Sequence, residues 1–215
     1  ALDVARLRRD TPGVAERVHL NNAGSALPPE VVHRTVVTHL ERESRVGGYE
    51  AADEAADELA GFYPSLAALI GARPDEIAFV ENATRAFDMA FYAVPFRPGD
   101  RILTAEAEYP SNVLAYLQMA RWRGVSVEAI PSDGDGGLDV AALEGMLDDR
   151  VRLVAVSHLP THGGLVNPAA AIGEITRRHG VLYLLDACQS VGQMPVDVEA
   201  IGCDMLAASG RKYLR

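Results

Sequence analysis

Asp186 and Lys212 are the two residues whose types and surroundings first suggest chemistry. Asp186 ends the apolar run Val181-Leu182-Tyr183-Leu184-Leu185, and Lys212 closes the stretch Ser209-Gly210-Arg211-Lys212 after the apolar segment 205–208. A carboxylate at the end of such a run is costly to bury unless a cation or a hydrogen-bond donor meets it. A helix N-cap or a structural ion pair would satisfy it. So would a protonated ring nitrogen, which the carboxylate keeps charged. Lys212 is the only lysine among the 215 residues. A lysine at a strand end is ordinarily solvated, but this one is the sole side-chain amine able to condense with a carbonyl group. Ser209 and Arg211 beside it offer a hydroxyl and a fixed cation, which suit a phosphate.

Other polar residues follow other apolar segments. Asn82-Ala83-Thr84 stands after segment 77–80 and opens a helical stretch, where unpaired N–H groups and the helix dipole favour an anion. A plain Asn or Thr cap explains the same residues. Tyr109 is placed to stack on a flat ring, or is an ordinary amphipathic tyrosine. Gln189, just past Asp186, offers a donor to a ligand oxygen, or is a solvated loop glutamine. Together these residues suit pyridoxal phosphate, whose pyridinium must stay charged to act as an electron sink.

The elements that would position them read as an alternation. Apolar segments 77–80, 101–104, 126–130, 151–157, 181–186 and 205–208 predict strands, with helices over 84–93, 112–123, 140–147 and 168–179 between them. Upstream, 31–42 predicts a helix begun by Pro28-Pro29, and the alanine-rich stretch 51–70 predicts one long helix ended by Gly71. Several strands are apolar throughout, which signals a sheet buried on both faces. The expected class is α/β, a mainly parallel sheet with helices on both faces. In such sheets ligands sit past the carboxyl ends of the strands. The stretches to inspect are therefore 81–84, 108–112, 158–162, 186–189 and 209–212.

Composition excludes several functions. With 48% hydrophobic and 23% charged residues the chain is ordinary globular material. Its 30 acidic residues against 20 basic ones give a net charge of −10, which lacks the basic footprint of a nucleic-acid binder. No apolar run approaches the roughly 18 residues of a membrane span. Residues 1–10 lack the apolar centre of a secretory signal. Cys188 and Cys203 fit neither a zinc site nor a CxxC pair. They predict buried small hydrophobes in a reducing, cytoplasmic setting.

Six stretches in order resemble class V aminotransferases and cysteine desulfurases, which are fold-type I pyridoxal-phosphate enzymes. They are His19-Leu20-Asn21-Asn22-Ala23-Gly24, Phe79-Val80-Glu81-Asn82-Ala83-Thr84, Glu108-Tyr109-Pro110-Ser111-Asn112, Gly164-Leu165-Val166-Asn167-Pro168, Asp186-Ala187-Cys188-Gln189-Ser190 and Ser209-Gly210-Arg211-Lys212. The resemblance implies that Lys212 holds the cofactor as a Schiff base and shuttles protons at the substrate's Cα. It implies that Asp186 pairs with the pyridine nitrogen and Gln189 contacts the phenolic oxygen. Ala83, Thr84, Ser209 and Arg211 would hold the phosphate, and Tyr109 would stack on the ring where many relatives have histidine. Thr161 falls where desulfurases carry an asparagine near the cofactor oxygen. Asn22 and Tyr49 are the implied substrate contacts, Tyr49 reaching a neighbouring subunit's site or being a plain helix-start tyrosine.

The resemblance further implies a homodimer, an N-terminal segment over 1–30, and a pyridoxal-phosphate-binding large domain over 31–215. A small C-terminal domain, with the arginine that grips the substrate carboxylate, would lie outside these residues. Gly47-Gly48-Tyr49-Glu50-Ala51-Ala52 with Glu108-Tyr109 looks like the branch of ergothioneine-type C–S lyases and isopenicillin-epimerase-like proteins. The expected activity is therefore C–S cleavage on a cysteine-derived amino acid. The alternatives are a class V aminotransferase, a desulfurase-like enzyme, and a catalytically inactive relative. A nucleotide-binding α/β domain is disfavoured, because no GxGxxG or P-loop glycine pattern follows any predicted strand.

Overall fold

The structure is a computed structural model that describes residues 2–161 and 163–214; His162, in one of the stretches to inspect, lies outside them. The chain begins with helices α1 (Val4–Arg9), α2 (Glu30–Val46), α3 (Gly48–Glu54), α4 (Ala56–Ala60) and α5 (Phe62–Ile70), then α6 (Ala83–Tyr92). Strands and helices then alternate as β1 (Arg101–Ala105), α7 (Pro110–Arg123), β2 (Ser126–Ile130), α8 (Val140–Met146), β3 (Val151–Ser157), α9 (Ala169–His179), β4 (Leu182–Asp186), α10 (Val198–Ile201) and β5 (Met205–Ala207).

The five strands form one sheet in the order β2-β1-β3-β4-β5, every pair parallel. Successive side chains on a strand face opposite ways, and both faces are covered. Ile102, Leu153, Ala155 and Leu184 pack with Phe87 and Phe91 of α6 and Tyr116 and Met119 of α7. Leu103, Val154, Val156, Tyr183 and Leu185 pack on the other side with Leu143 of α8, Ile172 and Ile175 of α9 and Ile201 of α10. This is the expected α/β layering. Gly173 lets α9 approach α10 closely, since a Cβ there would run into the carbonyl oxygen of Ile201.

Two expectations fail. Segment 77–80 forms no strand, because no neighbouring backbone among the described residues pairs with it. Its residues line a cavity that Met205 and Leu206 of β5 also line, so the segment and the outer edge of the sheet flank a gap instead of sharing a ladder. The stretch 51–70 is three helices, not one. Breaks fall at Ala55 and Gly61, and Pro64 has no N–H to return to Ala60, so the helix cannot run straight through. Cys188 and Cys203 are half-buried and not fully enclosed, and both are free thiols.

Candidate active site

The strand order reverses between β1 and β3, which lie side by side while β2 sits outside β1. Connections leaving the two central strands therefore diverge, and a crevice opens past their carboxyl ends. Register brings Ser157, Asp186 and Ala207 level across β3, β4 and β5. A cavity of about 860 Å³ lies at this end.

Asp186 lines it and is only 7% exposed. Its Oδ1 accepts from the Cys188 backbone N–H at 3.0 Å and its Oδ2 from Asn112 Nδ2 at 2.9 Å. No cation pairs with it among the described residues, so neither a salt bridge nor a helix N-cap accounts for its burial. Lys212, 8% exposed, lines the same cavity. Among the described residues its Nζ makes no hydrogen bond or ion pair; it lies 5.6 Å from the centre of the Tyr109 ring, within cation–π range. The chain after Lys212 is pinned by Gly192 (φ 86°), where a Cβ would press on the backbone of Tyr213 and Leu214.

The anion-holding candidates meet here too. Asn82 caps α6 through its side chain, which accepts from the Arg85 N–H at 2.9 Å. Ala83 and Thr84 in the first turn of α6 face the same cavity as Ser209 and Arg211. Thr161 and Gln189 line it as well. Gln189 Nε2 donates to the Ala23 carbonyl at 3.0 Å, and the Ala26 N–H donates to the Arg211 carbonyl at 3.0 Å. The N-terminal segment is thus laid against both loops of the site. Asn22 lies in that segment but outside the cavity lining, and Tyr49, 89% exposed on α3, is away from it in this chain.

The residues present fit pyridoxal phosphate. An unpaired buried carboxylate, an unpaired amine and an aromatic ring border one cavity, with a helix N-terminus and an arginine for a phosphate. Two polar atoms at the lining, Gln189 Oε1 and Ser111 Oγ, are buried without partners, which a bound molecule would relieve.

Sequence reasoning assigned no role to Glu108 or Asn112, which it noted only as members of a motif. Glu108 accepts from Tyr109 N at 2.7 Å, Ser157 N at 3.0 Å and Thr104 Oγ1 at 3.2 Å, and from the Ser157 hydroxyl. Burial pushes its carboxyl up to about 7, with the nearby Asp186 charge adding to the rise against these donors. His158 was also missed. It is buried, its Nδ1 has no hydrogen-bond partner among the described residues, and burial lowers its pKa. Burial raises both thiols, Cys203 to about 11.

Comparisons with known proteins show what the chain is similar to. The family model for "Aminotransferase class-V" matches residues 18–214. A "Probable cysteine desulfurase" from Methanothermobacter thermautotrophicus is 34% identical over 209 residues, which are 96% of this chain and 52% of that protein. A solved mutant of C-DES with glycine covalently linked to its PLP cofactor superposes with a TM-score of 0.89 at 26% identity, over 96% of this chain and 56% of that one. The cystine C–S lyase C-DES in complex with its product cysteine persulfide gives 0.88 at 26% identity, over 94% and 55%. The chain spans about half the length of the relatives it matches. It belongs to the class V aminotransferase family of pyridoxal-phosphate-dependent enzymes.

Proposed function

We propose that these residues form the cofactor-binding part of an enzyme that acts at the Cα of an amino acid and cleaves the C–S bond of a cysteine-derived substrate. The observation that carries this is the meeting of Asp186 and Lys212, brought from different strand ends to one cavity beside the Tyr109 ring. Pyridoxal phosphate, when bound, supplies an aldehyde that condenses with amines and a cationic ring that withdraws electrons from Cα.

The chain's own residues do the rest. Lys212 Nζ would hold the cofactor through its amine and would serve as the base that moves the proton at the substrate's Cα. Asp186 would pair with the ring nitrogen and keep its proton in place. Tyr109 would stack on the ring, and Gln189 and Thr161 would contact its phenolic oxygen. Ala83, Thr84, Ser209 and Arg211 would hold the phosphate. Asn22 and Tyr49 are assigned to the substrate, Tyr49 by reaching a second copy of the chain.

C–S cleavage is supported by the names of the relatives, cysteine desulfurases and a cystine C–S lyase. We further read residues 1–30 as an N-terminal segment and 31–215 as the cofactor-binding large domain. A homodimer fits the exposed apolar stripe of α2, and free thiols fit a reducing cytoplasm. No helix among the described residues is long and apolar enough to cross a membrane.

Borohydride reduction of protein loaded with pyridoxal phosphate should fix the label on the peptide containing Lys212, and Lys212→Ala should abolish it. Incubation with a cysteine conjugate should release pyruvate and ammonia. Stoichiometric keto-acid exchange without pyruvate would make the enzyme an aminotransferase instead.

A further inference from the structure

Under the reading just given, Glu108 has no task, although its carboxylate gathers more of the site's framework than any cofactor contact does. Its donors come from the end of β1 (Thr104), the end of β3 (Ser157) and the start of α7 (Tyr109). Asn112 Nδ2 also lies 3.4 Å from Glu108 Oε1 while donating to Asp186 Oδ2 at 2.9 Å. One amide, with two hydrogens to give, therefore spans two carboxylates. Both hydrogens being committed, the amide cannot rotate without losing a bond, and Asp186 Oδ2 inherits that fixity. The other oxygen of Asp186 is held by the Cys188 N–H.

We propose that Glu108 is a positioning residue for the cofactor's ring nitrogen, acting through the Asn112 amide on the Asp186 carboxylate.

The electrostatics of the pair support this. The ionisable groups that interact with Glu108 are Asp186 on β4 and the Tyr116 phenol on α7; Tyr109 follows it in sequence, His158 follows its partner Ser157, and Lys212 and Arg211 border the same cavity as Asp186. No salt bridge reaches Glu108 or Asp186 among the described residues. Two acidic groups that share one amide in a desolvated place repel each other, and this costs free energy until a positive charge arrives. A protonated ring nitrogen opposite Asp186 is such a charge. Glu108 then aims the carboxylate for it, by holding the Asn112 amide in place.

The inference rests on the pyridoxal phosphate reading, and the test separates the two. Protein is loaded with pyridoxal phosphate isotopically labelled at the ring nitrogen, and the nitrogen's NMR shift is followed against pH. In Glu108→Gln and in Asn112→Ser the midpoint for loss of the ring proton should fall by about one pH unit, roughly tenfold in the equilibrium. The double variant should fall no further than the lower single variant, because both act through one path. A staple that merely ties strand ends together would weaken folding and leave this midpoint where it is. An unchanged midpoint in folded Glu108→Gln that still carries cofactor overturns the proposal, as do fully additive shifts. Should Glu108→Gln fail to fold by circular dichroism, Asn112→Ser decides by the same midpoint. Should borohydride fail to trap cofactor on Lys212 in the unmodified protein, the reading of the cavity falls and takes this inference with it. Trapping together with an unmoved midpoint sinks the inference alone.

Discussion

Helices α2 and α9 are both amphipathic, and they end up in opposite circumstances. The 11 residues of α9 bury Ala169, Ile172, Gly173, Ile175 and Thr176 against the sheet and α10. The 17 residues of α2 bury none, and Val31, Val36 and Leu40 stand more than half exposed. The pattern of apolar residues tells that a face wants cover; it does not tell what supplies it. For α9 the cover is local, since β4 follows it directly in sequence and receives it. For α2 nothing among the described residues plays that part. The same division runs through the molecule: from α6 onward side chains are held by a two-sided sheet, while before it short helices touch one another at their edges.

The largest expected effect puts that division to a direct measurement. Leu184 on β4 is 0% exposed, packed between Phe87, Tyr116 and neighbouring strands. Leu184→Ala should cost about 2–5 kcal/mol in urea unfolding, from lost transfer energy and the cavity left behind. Val36 on α2 is 54% exposed, and Val36→Ala should stay within about 0.5 kcal/mol, as at ordinary surface sites. A large loss at Val36 would mean that α2 is covered in solution. Light scattering on both proteins would then show whether a second copy is the cover.

A smaller effect sharpens the contrast at the level of the backbone. Gly173→Ala would drive a Cβ into the Ile201 carbonyl, and α9 and α10 must separate. An overpacked contact of this kind should cost about 1–3 kcal/mol. Gly48, at the start of α3, has no heavy atom near where a Cβ would stand, and its backbone is helical. Gly48→Ala should be neutral or stabilise by up to about 1 kcal/mol, by narrowing the unfolded ensemble. Equal costs at the two glycines would contradict the picture of a tight half and a loose half.

The contrast also explains what could be read from the residues alone. Strands β1, β3, β4 and β5 are legible because each is largely an apolar run bounded by turn residues, and a doubly covered sheet demands such runs; the edge strand β2, with Ser126 and Glu128, is more exposed. Segment 77–80 has the same composition but no strand beside it, and pairing is a property of neighbours that composition cannot carry. The break at Gly61 and Pro64 was visible in the letters and was outweighed by the run of alanines. In the site, Asp186 and Lys212 stood out as a polar end to an apolar run and as a lone lysine. Glu108 and Asn112 did not, since an acid and an amide near a helix start are commonplace. Their meaning depends on β1 lying beside β3 and β3 beside β4, an order that no local pattern encodes.

The smallest effect concerns pH, and it too divides the two regions. The helices before α6 carry exposed ion pairs such as Arg42 with Glu54, which salt screens. Burial acts at Glu108 and His158, past the ends of β1 and β3. Glu108 has its folded pKa raised from 4.5 to about 7, so the folded state holds a proton that the unfolded chain has lost. Its contribution is present below about pH 4.5 and fades as pH rises towards 7. His158 has its folded pKa lowered below 6.5, so the unfolded chain binds a proton the folded state refuses. Its contribution is present above about pH 6.5 and fades as pH falls. Where the windows overlap, below about pH 6.5 and above about pH 4.5, the two slopes oppose, and the unmodified protein should show a shallow profile in urea unfolding there. Glu108→Gln removes one slope and leaves stability rising with pH. His158→Gln removes the other and leaves stability falling with pH. Salt should change neither slope much, because both arise from desolvation and not from screened pairs. Two variants with the same slope as the unmodified protein would place the pH response elsewhere in the chain.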